Sequence, residues 1–598
     1  MSAAPAALDE TLDRARAHLL AARNADGHWR GRLSSSALAT ATAVGAWALA
    51  DRAERQDRIA RALDWLAADQ NADGGWGDTP DSGSNIATTL LAWSAHALAG
   101  QDGGDWEPTL AAARSWLARQ AGSLEPDRLV AAVHERYGND RTFSAPILTM
   151  GALAGRLGGG RDAWHTVAPL PFELGALPHR ALRWLRLPVV SYALPAMIAI
   201  GLARQHHRPS ANPLRRLSAR MARRATLQRL TAIQPESGGY LEAPPLTAFV
   251  AMALASTGRT DHPAVRRGLA FLDALQRDDG SLPIDTDLAT WLTTQAIEAL
   301  AGVGPALADT DAVRVRAWLL AQQHRRPHVY TGAAPGGWAW TDRAGGVPDA
   351  DDTAGALVAL RALPGGPAHE AASHGIRWLM DLQNRDGGIP TFCRGWGRLP
   401  FDRSCADLTA HALRAWRAWR AELPELHGRI EHASRRALAY LQGAQRADGA
   451  WLPLWFGNEA SLDQANPTYG TARVLAALAE YGNAPGVPEM VAGGAAWLCS
   501  TQGPDGGWGG DADCPPSVEE TALAVDAMTR TARAGAEDGA HRRAAQRGAA
   551  WLIERTDAGR SFPAAPIGLY FAELWYAERL YPVIFTVSAL SRLRVRRP

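Results

Sequence analysis

Ala62–Trp76 reads ALDWLAADQNADGGW, Ala437–Trp451 reads ALAYLQGAQRADGAW and Gly494–Trp508 reads GAAWLCSTQGPDGGW. All three follow one pattern: a small-apolar-x-aromatic-Leu start, a glutamine after a short gap, then Asp-Gly and a tryptophan. Weaker copies run Ala15–Trp29, Gly268–Leu282, Gly375–Ile389 and Gly548–Phe562. The pattern predicts an amphipathic helix that stops at an Asp-Gly turn, with the aromatic folded back over it. The glutamine amide is placed to bond backbone groups of that turn. These units are staples between helices and carry no chemistry of their own.

A second helix follows many of the units and opens near a threonine. Trp291-Leu292-Thr293, Asp351-Asp352-Thr353, Asp407-Leu408-Thr409, Tyr469-Gly470-Thr471 and Glu519-Glu520-Thr521 fall into one register. Threonine is a reasonable first-turn residue before an apolar helical run, and strand-like alternation is scarce, so the chain reads as all-α. Helix pairs repeating every roughly fifty residues predict an α/α barrel or an α-solenoid. In a closed barrel the second helices start at one end. Trp291, Asp351, Asp407, Tyr469 and Glu519 would then ring a shared cavity.

The run Asp349-Ala350-Asp351-Asp352 has an ordinary explanation, because aspartate caps helices and suits the positive end of the helix dipole. Its company points elsewhere. Carboxylates this close cannot all ionise easily, so the group retains a proton. In a dry aromatic cavity that proton is available to a substrate, with Asp351 as the Brønsted acid. His411, one turn into the helix that begins near Asp407, is placed to bond a carboxylate. Trp291, Trp338, Trp340 and Trp455 offer π-faces, which stabilise a cation without acting as nucleophile or base.

Composition narrows the alternatives. The 598 residues are too many for one ordinary core, and 47% hydrophobic with 21% charged residues suits a folded chain. A net charge of +1 argues against nucleic acid as a partner. The chain contains no lysine, which excludes Schiff-base chemistry, a pyridoxal-phosphate site and a P-loop lysine. Cys393, Cys405, Cys499 and Cys514 form no CxxC pair, and Cys393, Cys405, Asp407 and His411 match no standard zinc spacing. No metal and no organic cofactor is expected. Met1 to Leu12 lacks the basic start and long apolar core of a signal peptide, and no apolar run reaches a membrane span. The mixed basic and apolar segment Pro178–Leu187, ahead of the apolar stretch to Leu202, suits either a membrane interface or an amphipathic helix packed on its own domain.

Gly336-Gly337-Trp338-Ala339-Trp340, the Asp349–Thr353 run, Asp407-Leu408-Thr409-Ala410-His411 and the Gln…Trp repeats together resemble the squalene-hopene cyclase family, over nearly the whole chain to Phe562-Pro563 and Tyr581-Pro582. The resemblance implies a βγ-type terpene cyclase architecture of two α/α barrels, residues 1–25 with 275–598 forming the barrel that bears the acidic run and residues 26–274 a second, inserted barrel. It implies proton-initiated cyclisation of squalene or a similar linear polyprenyl chain. Asp351 matches the proton donor, Asp349 and Asp352 its neighbours, His411 its hydrogen-bonding partner, and Asp407 the same cluster. Trp291, Trp340, Trp455, Phe392, Phe562 and Tyr570 match substrate-facing aromatics, and Tyr192 falls where the family usually has tryptophan. Also implied are attachment to one membrane leaflet on the cytoplasmic side, and a second copy of the chain as a partner. The Asp-Leu-Thr-Ala-His motif resembles the alkene-protonating branch, since the epoxide-opening enzymes carry Asp-Cys-Thr-Ala-Glu. This sequence departs from the family at Ala39–Thr42, where glutamates are usual, at Ile389–Phe392, and at Leu574 and Ala577, which fall at tyrosine positions. Two other readings stand beside it. One is a cyclase of a prenyl diphosphate, with Arg215, Arg216, Arg220, Arg223 and Arg224 either holding the diphosphate or facing solvent or membrane. The other is a barrel that binds lipid without catalysis or relates to the zinc-dependent prenyltransferases.

Overall fold

A computed structural model describes all residues except 1–4, 139–140, 178–192, 303, 305–306, 330, 366–367, 393–399, 533–538, 570–572 and 596–598. Helices dominate it, arranged as two α/α barrels. In the larger, the helices Ala289–Ala301, Ala350–Ala362, Ala406–Trp419, Pro467–Leu478, Val518–Thr531 and Tyr581–Arg594 form an inner ring, each packed on the next and the last on the first. Outer helices, among them Asp309–Ala321, His369–Leu382 and Pro5–Ala21, pack on its outside. In the smaller barrel Ala37–Asp51, Ile86–Leu98, Arg141–Leu153, Leu194–His207 and Pro244–Ala255 close in the same way.

The inner helices are almost wholly buried, as in the largely apolar Ile86–Leu98, whereas outer helices such as Gln56–Ala68 bury one stripe. Each barrel has its own core. One gathers Leu8 to Trp29 with Trp291 to Leu590; the other gathers Leu33 to Ile284 with Val347 and Phe401. The chain passes between them at a short antiparallel pair, Ser35–Ser36 against Leu282–Pro283. A second small sheet, Phe456–Gly457, Ile567–Leu569 and Leu574–Tyr576, lies beside the larger ring.

The repeat units act as staples, and the contacts are specific. The indole N–H of Trp76, Trp451 and Trp508 donates to the carbonyl of Leu66, Leu441 and Leu498 at 2.7–2.8 Å, sealing the end of the unit's own helix. Each glutamine donates twice. Gln383 reaches the carbonyl of Gly387 at 2.8 Å and that of Ala433, in the next outer helix, at 3.0 Å. Gln445 does the same with Gly449 and Met490. The turn glycine is required: Gly449 has φ +99°, and a Cβ there would lie 2.4 Å from the Gly493 carbonyl oxygen.

The registered threonine does more than start a helix. Its hydroxyl accepts the backbone N–H of the turn aromatic, as Thr353 does from Trp338, Thr471 from Trp451 and Thr521 from Trp508, at 2.9–3.0 Å. The capping itself falls to other side chains: Asn85, Asp349, Asn466 and Ser517. Asp-Gly turn, aromatic and inner-helix start are thereby locked together.

Gln383 is buried, and replacing it by leucine removes its bonds to the Gly387 and Ala433 carbonyls, leaving that of Gly387 without this donor. Unsatisfied buried groups cost about 1–3 kcal/mol each, so Gln383→Leu should lower the unfolding midpoint of the purified chain in denaturant titration. An unchanged midpoint would contradict the staple.

Candidate active site

Asp349 caps the inner helix Ala350–Ala362, its Oδ1 accepting the Asp352 N–H at 2.9 Å. That bond turns Asp349 and Asp352 inward against protein, each 4% exposed. All three line the cavity, and Asp351 is the most open of them, with its side chain 17% exposed. The neighbouring helix Ala406–Trp419 brings His411 alongside, and its Nδ1 lies 2.5 Å from Asp351 Oδ1. Asp407, on the same helix, is buried and accepts from the Cys405 thiol.

Burial governs the electrostatics. It pushes the Asp349 carboxyl up to about 7, the backbone and side-chain bonds from Asp352 opposing it. It raises Asp352 well above the usual carboxylate range, with the Asp349 and Asp351 charges adding to it. Asp407 is pushed up to about 6 by burial and then by the charge of Asp351. Among the described residues, Asp352 Oδ1, Asp407 Oδ2 and His411 Nε2 are buried without a hydrogen-bond partner. Such groups are rare in folded proteins and mark sites where something other than stability is served.

Asp351 opens on a cavity of about 350 Å³ whose wall is almost entirely hydrocarbon and aromatic. Its lining draws on both barrels: Leu91, Phe143 and Phe249 from the smaller, Trp291, Phe456 and Tyr581 from the larger. The rings pack on one another. Trp291 lies edge-on to His411 and stacks on Phe456, each at 6.2 Å between centroids. Phe392, Phe401 and Trp455 form a triad at 5.2–5.8 Å. The Trp455 indole donates to Thr391 Oγ1 at 2.6 Å, and that of Trp291 to the Tyr581 hydroxyl at 3.1 Å, which fixes both rings.

Among the residues read from sequence, the structure gathers Asp349, Asp351, Asp352, Trp291, Trp340, Trp455 and Phe392 around this cavity, with His411 and Asp407 behind the acid. Several expectations need correcting. Trp338 is fully buried and donates to the Leu319 carbonyl, so it is a repeat staple rather than a wall. Phe562 closes the unit Gly548–Phe562 and packs on His18, away from the cavity lining. Its place in the repeat was the sign of that role. Tyr469 packs on Phe456, and Glu519 accepts the Ala565 N–H; neither lines the cavity. Tyr192, Tyr570, Cys393 and the segment Pro178–Leu187 lie outside the described residues. The sequence reading missed Asp285, Phe401, Phe456, Tyr576 and Tyr581. The first four come from loops and short strands, where no helical register points inward. Among the described residues no group of three His, Cys, Asp or Glu side chains is arranged to hold a metal ion.

Comparison with known proteins agrees with this geometry. Residues 288–595 match the model of the squalene-hopene cyclase C-terminal domain, and residues 12–133 that of its N-terminal domain. A terpene cyclase-glycosyl transferase fusion protein of Humicola fuscoatra is 26% identical over 99% of this chain and 51% of its own length. The chain thus spans about half the length of that relative. A squalene–hopene cyclase of Alicyclobacillus acidocaldarius is 26% identical over 79% of this chain and 78% of its own. Among solved structures, ent-copalyl diphosphate synthase from Streptomyces platensis superposes with a TM-score of 0.62 at 22% identity, covering 98% of this chain and 99% of that one, which is a likeness of fold. With the C-terminal domain model covering more than half of its residues, the chain belongs to the squalene-hopene cyclase family.

Proposed function

We propose that this chain is a class II terpene cyclase that protonates a terminal C=C bond of squalene or a similar linear polyprenyl chain and closes it into a polycycle. The observation that carries this reading is Asp351, a carboxyl with His411 on one oxygen at the head of an aromatic cavity. A hydrogen on His411 Nδ1 donates to Asp351 Oδ1, which leaves Oδ2 to carry the proton that is transferred. The alkene π electrons take that proton, a tertiary cation forms, and successive double bonds attack in turn. Deprotonation or water capture ends the sequence. Trp291, Trp340, Trp455, Phe392 and Phe401 face the cations as π-systems. The rest of the wall excludes water and holds the chain folded.

Charge favours an uncharged substrate. None of the described lining residues is arginine, whereas Asp285, Asp349, Asp351 and Asp352 all line the cavity. A diphosphate here would find no described cation to pair with. Arg215, Arg216, Arg220, Arg223 and Arg224 are exposed on the helix Pro213–Ile233, with Leu214 and Met221 more than 70% exposed beside them. That mixture suits a monotopic contact with the cytoplasmic face of a membrane, the source of an apolar substrate. A barrel that only bound lipid would have no use for the unpartnered carboxylate oxygens behind Asp351.

Incubation of the purified enzyme with squalene and with geranylgeranyl diphosphate, followed by mass spectrometry, should give cyclic product from squalene; conversion of the diphosphate alone would rule out the squalene reading. Asp351→Asn should reduce turnover about 10²–10⁴-fold, the range of general acid catalysis, and undiminished cyclisation would remove Asp351 as the donor.

The buried acids also set a pH dependence. Asp349 titrates near 7 in the folded chain against 3.8 as its ordinary value, so the fold binds this proton more tightly than the unfolded chain does. The resulting stability is complete below 3.8 and is lost as pH rises through about 7. Asn preserves the cap but has no such proton. The thermal midpoint of Asp349→Asn, relative to that of the parent, should therefore improve as pH rises from 4 to 8; an offset independent of pH would contradict this.

A further inference from the structure

One stretch of the cavity wall does not suit a pure hydrocarbon. Asp285 and Tyr576 both line the cavity, and neither has a role in protonating the chain. Asp285 Oδ1 accepts the indole N–H of Trp340 at 3.4 Å, and no described cation pairs with it. Its neighbour Asp287 is ion-paired with Arg30 and Arg343, and Glu242 is bonded by Ser237 and the Gly345 N–H. Burial, reinforced by the charges of Glu242 and Asp287, raises Asp285 well above the usual carboxylate range. Burial thus favours its protonated form, and Asp285 faces the cavity with no described cation to hold it ionised.

Tyr576 ends a chain of hydrogen bonds. The Trp291 indole can only donate, and it donates to the Tyr581 hydroxyl at 3.1 Å. The Tyr581 oxygen lies 3.1 Å from that of Tyr576, its one other described partner. The two tyrosine hydroxyls share one hydrogen bond, and Tyr576 turns its remaining hydrogen-bonding capacity to whatever occupies the cavity. Asp285, Asp351 and Glu578 all act electrostatically on the Tyr576 hydroxyl, which places the acids and this hydroxyl in one neighbourhood.

We propose that Asp285 and Tyr576 form an oxygen-binding subsite beside the proton donor, which selects a linear isoprenoid bearing a neutral oxygen atom. Both groups bring hydrogen-bonding oxygens to an otherwise apolar wall, so the ligand presents a hydrogen-bonding oxygen to them. With no described cation lining the cavity, that oxygen is uncharged: a hydroxyl or carbonyl oxygen of the substrate, or a water molecule destined for the product. An ionised carboxylate at this place would capture a passing carbocation as an ester or deprotonate it. A neutral one does neither and still orients oxygen. A hydrocarbon filling the cavity needs a water molecule to satisfy these two groups, whereas an oxygenated chain of the same length satisfies them itself and is preferred.

This proposal rests on the cyclase reading for its context, and its test does not require turnover. Binding of geranylgeraniol and of the corresponding hydrocarbon without the hydroxyl is measured by tryptophan fluorescence quenching on the detergent-solubilised full chain, Asp285→Leu and Tyr576→Phe. The parent should prefer the alcohol by about tenfold for each hydrogen bond gained, and each variant should lose about one such factor. Tyr576→Phe removes a single oxygen and so keeps the comparison valid should Asp285→Leu fold poorly. Reaction in ¹⁸O-water separates the two sources of oxygen: label that enters an alcohol product and declines in both variants identifies water, whereas discrimination without label identifies the substrate's own oxygen. Equal binding of both ligands by the parent, with any label unaffected by either substitution, would overturn the subsite. Absence of any cyclic product from the parent, with alcohol discrimination intact, would instead count against the cyclase reading alone.

Discussion

The bond between the backbone N–H of a turn residue and the hydroxyl of a first-turn threonine fixes where five of the six inner helices of the larger barrel begin. Thr353 accepts from Trp338 and returns its own hydrogen to the Asp349 carbonyl at 2.6 Å, so the Gly336-Gly337 turn, the helix start and the acidic run move as one piece. Because the same bond recurs at Thr293, Thr471 and Thr521 from a tryptophan and at Thr409 from Ile389, these inner helices start at one end of the ring. Asp351 and His411 meet there. Sixty residues separate them in the chain, and two equivalent staples put them 2.5 Å apart.

This explains which parts of the molecule were legible in the sequence. Staple residues repeat because each makes the same contacts, so the units around Gln445 and Gln502 announced the helix pairs directly. Asp351, Trp291 and His411 were found because they sit at fixed offsets from the registered threonines. The same register overreached at Tyr469 and Glu519: equivalent places on a ring are not equivalent distances from a cavity that lies toward the smaller barrel. Trp338 and Phe562 looked like cavity walls because an aromatic side chain announces itself more clearly than the staple position it occupies. Phe401, Phe456, Asp285 and Tyr576 stayed hidden, since they come from loops and two- or three-residue strands whose direction no period encodes.

The acid and its surroundings form a consistent electrostatic design. Burial raises Asp349, Asp352 and Asp407 and so favours their protonated forms around Asp351, Asp407 least of the three. The price is a set of buried polar atoms without partners, at Asp352, Asp407 and His411. A chain selected only for stability would have replaced them, because each unsatisfied group costs about 1–3 kcal/mol. Next to them the wall turns to tryptophan and phenylalanine, which stabilise positive charge without capturing it. In the proposed reaction acid and π-wall complement each other: one would make a cation and the other would let it persist long enough for ring closure.

The central claim is that a proton from Asp351 becomes part of the carbon skeleton. Turnover of squalene in deuterium oxide, read by mass spectrometry of the product, tests it most directly. The account predicts one deuterium in each product molecule, on the terminal isoprene unit where cyclisation starts. Cyclic product that contains no deuterium would contradict it.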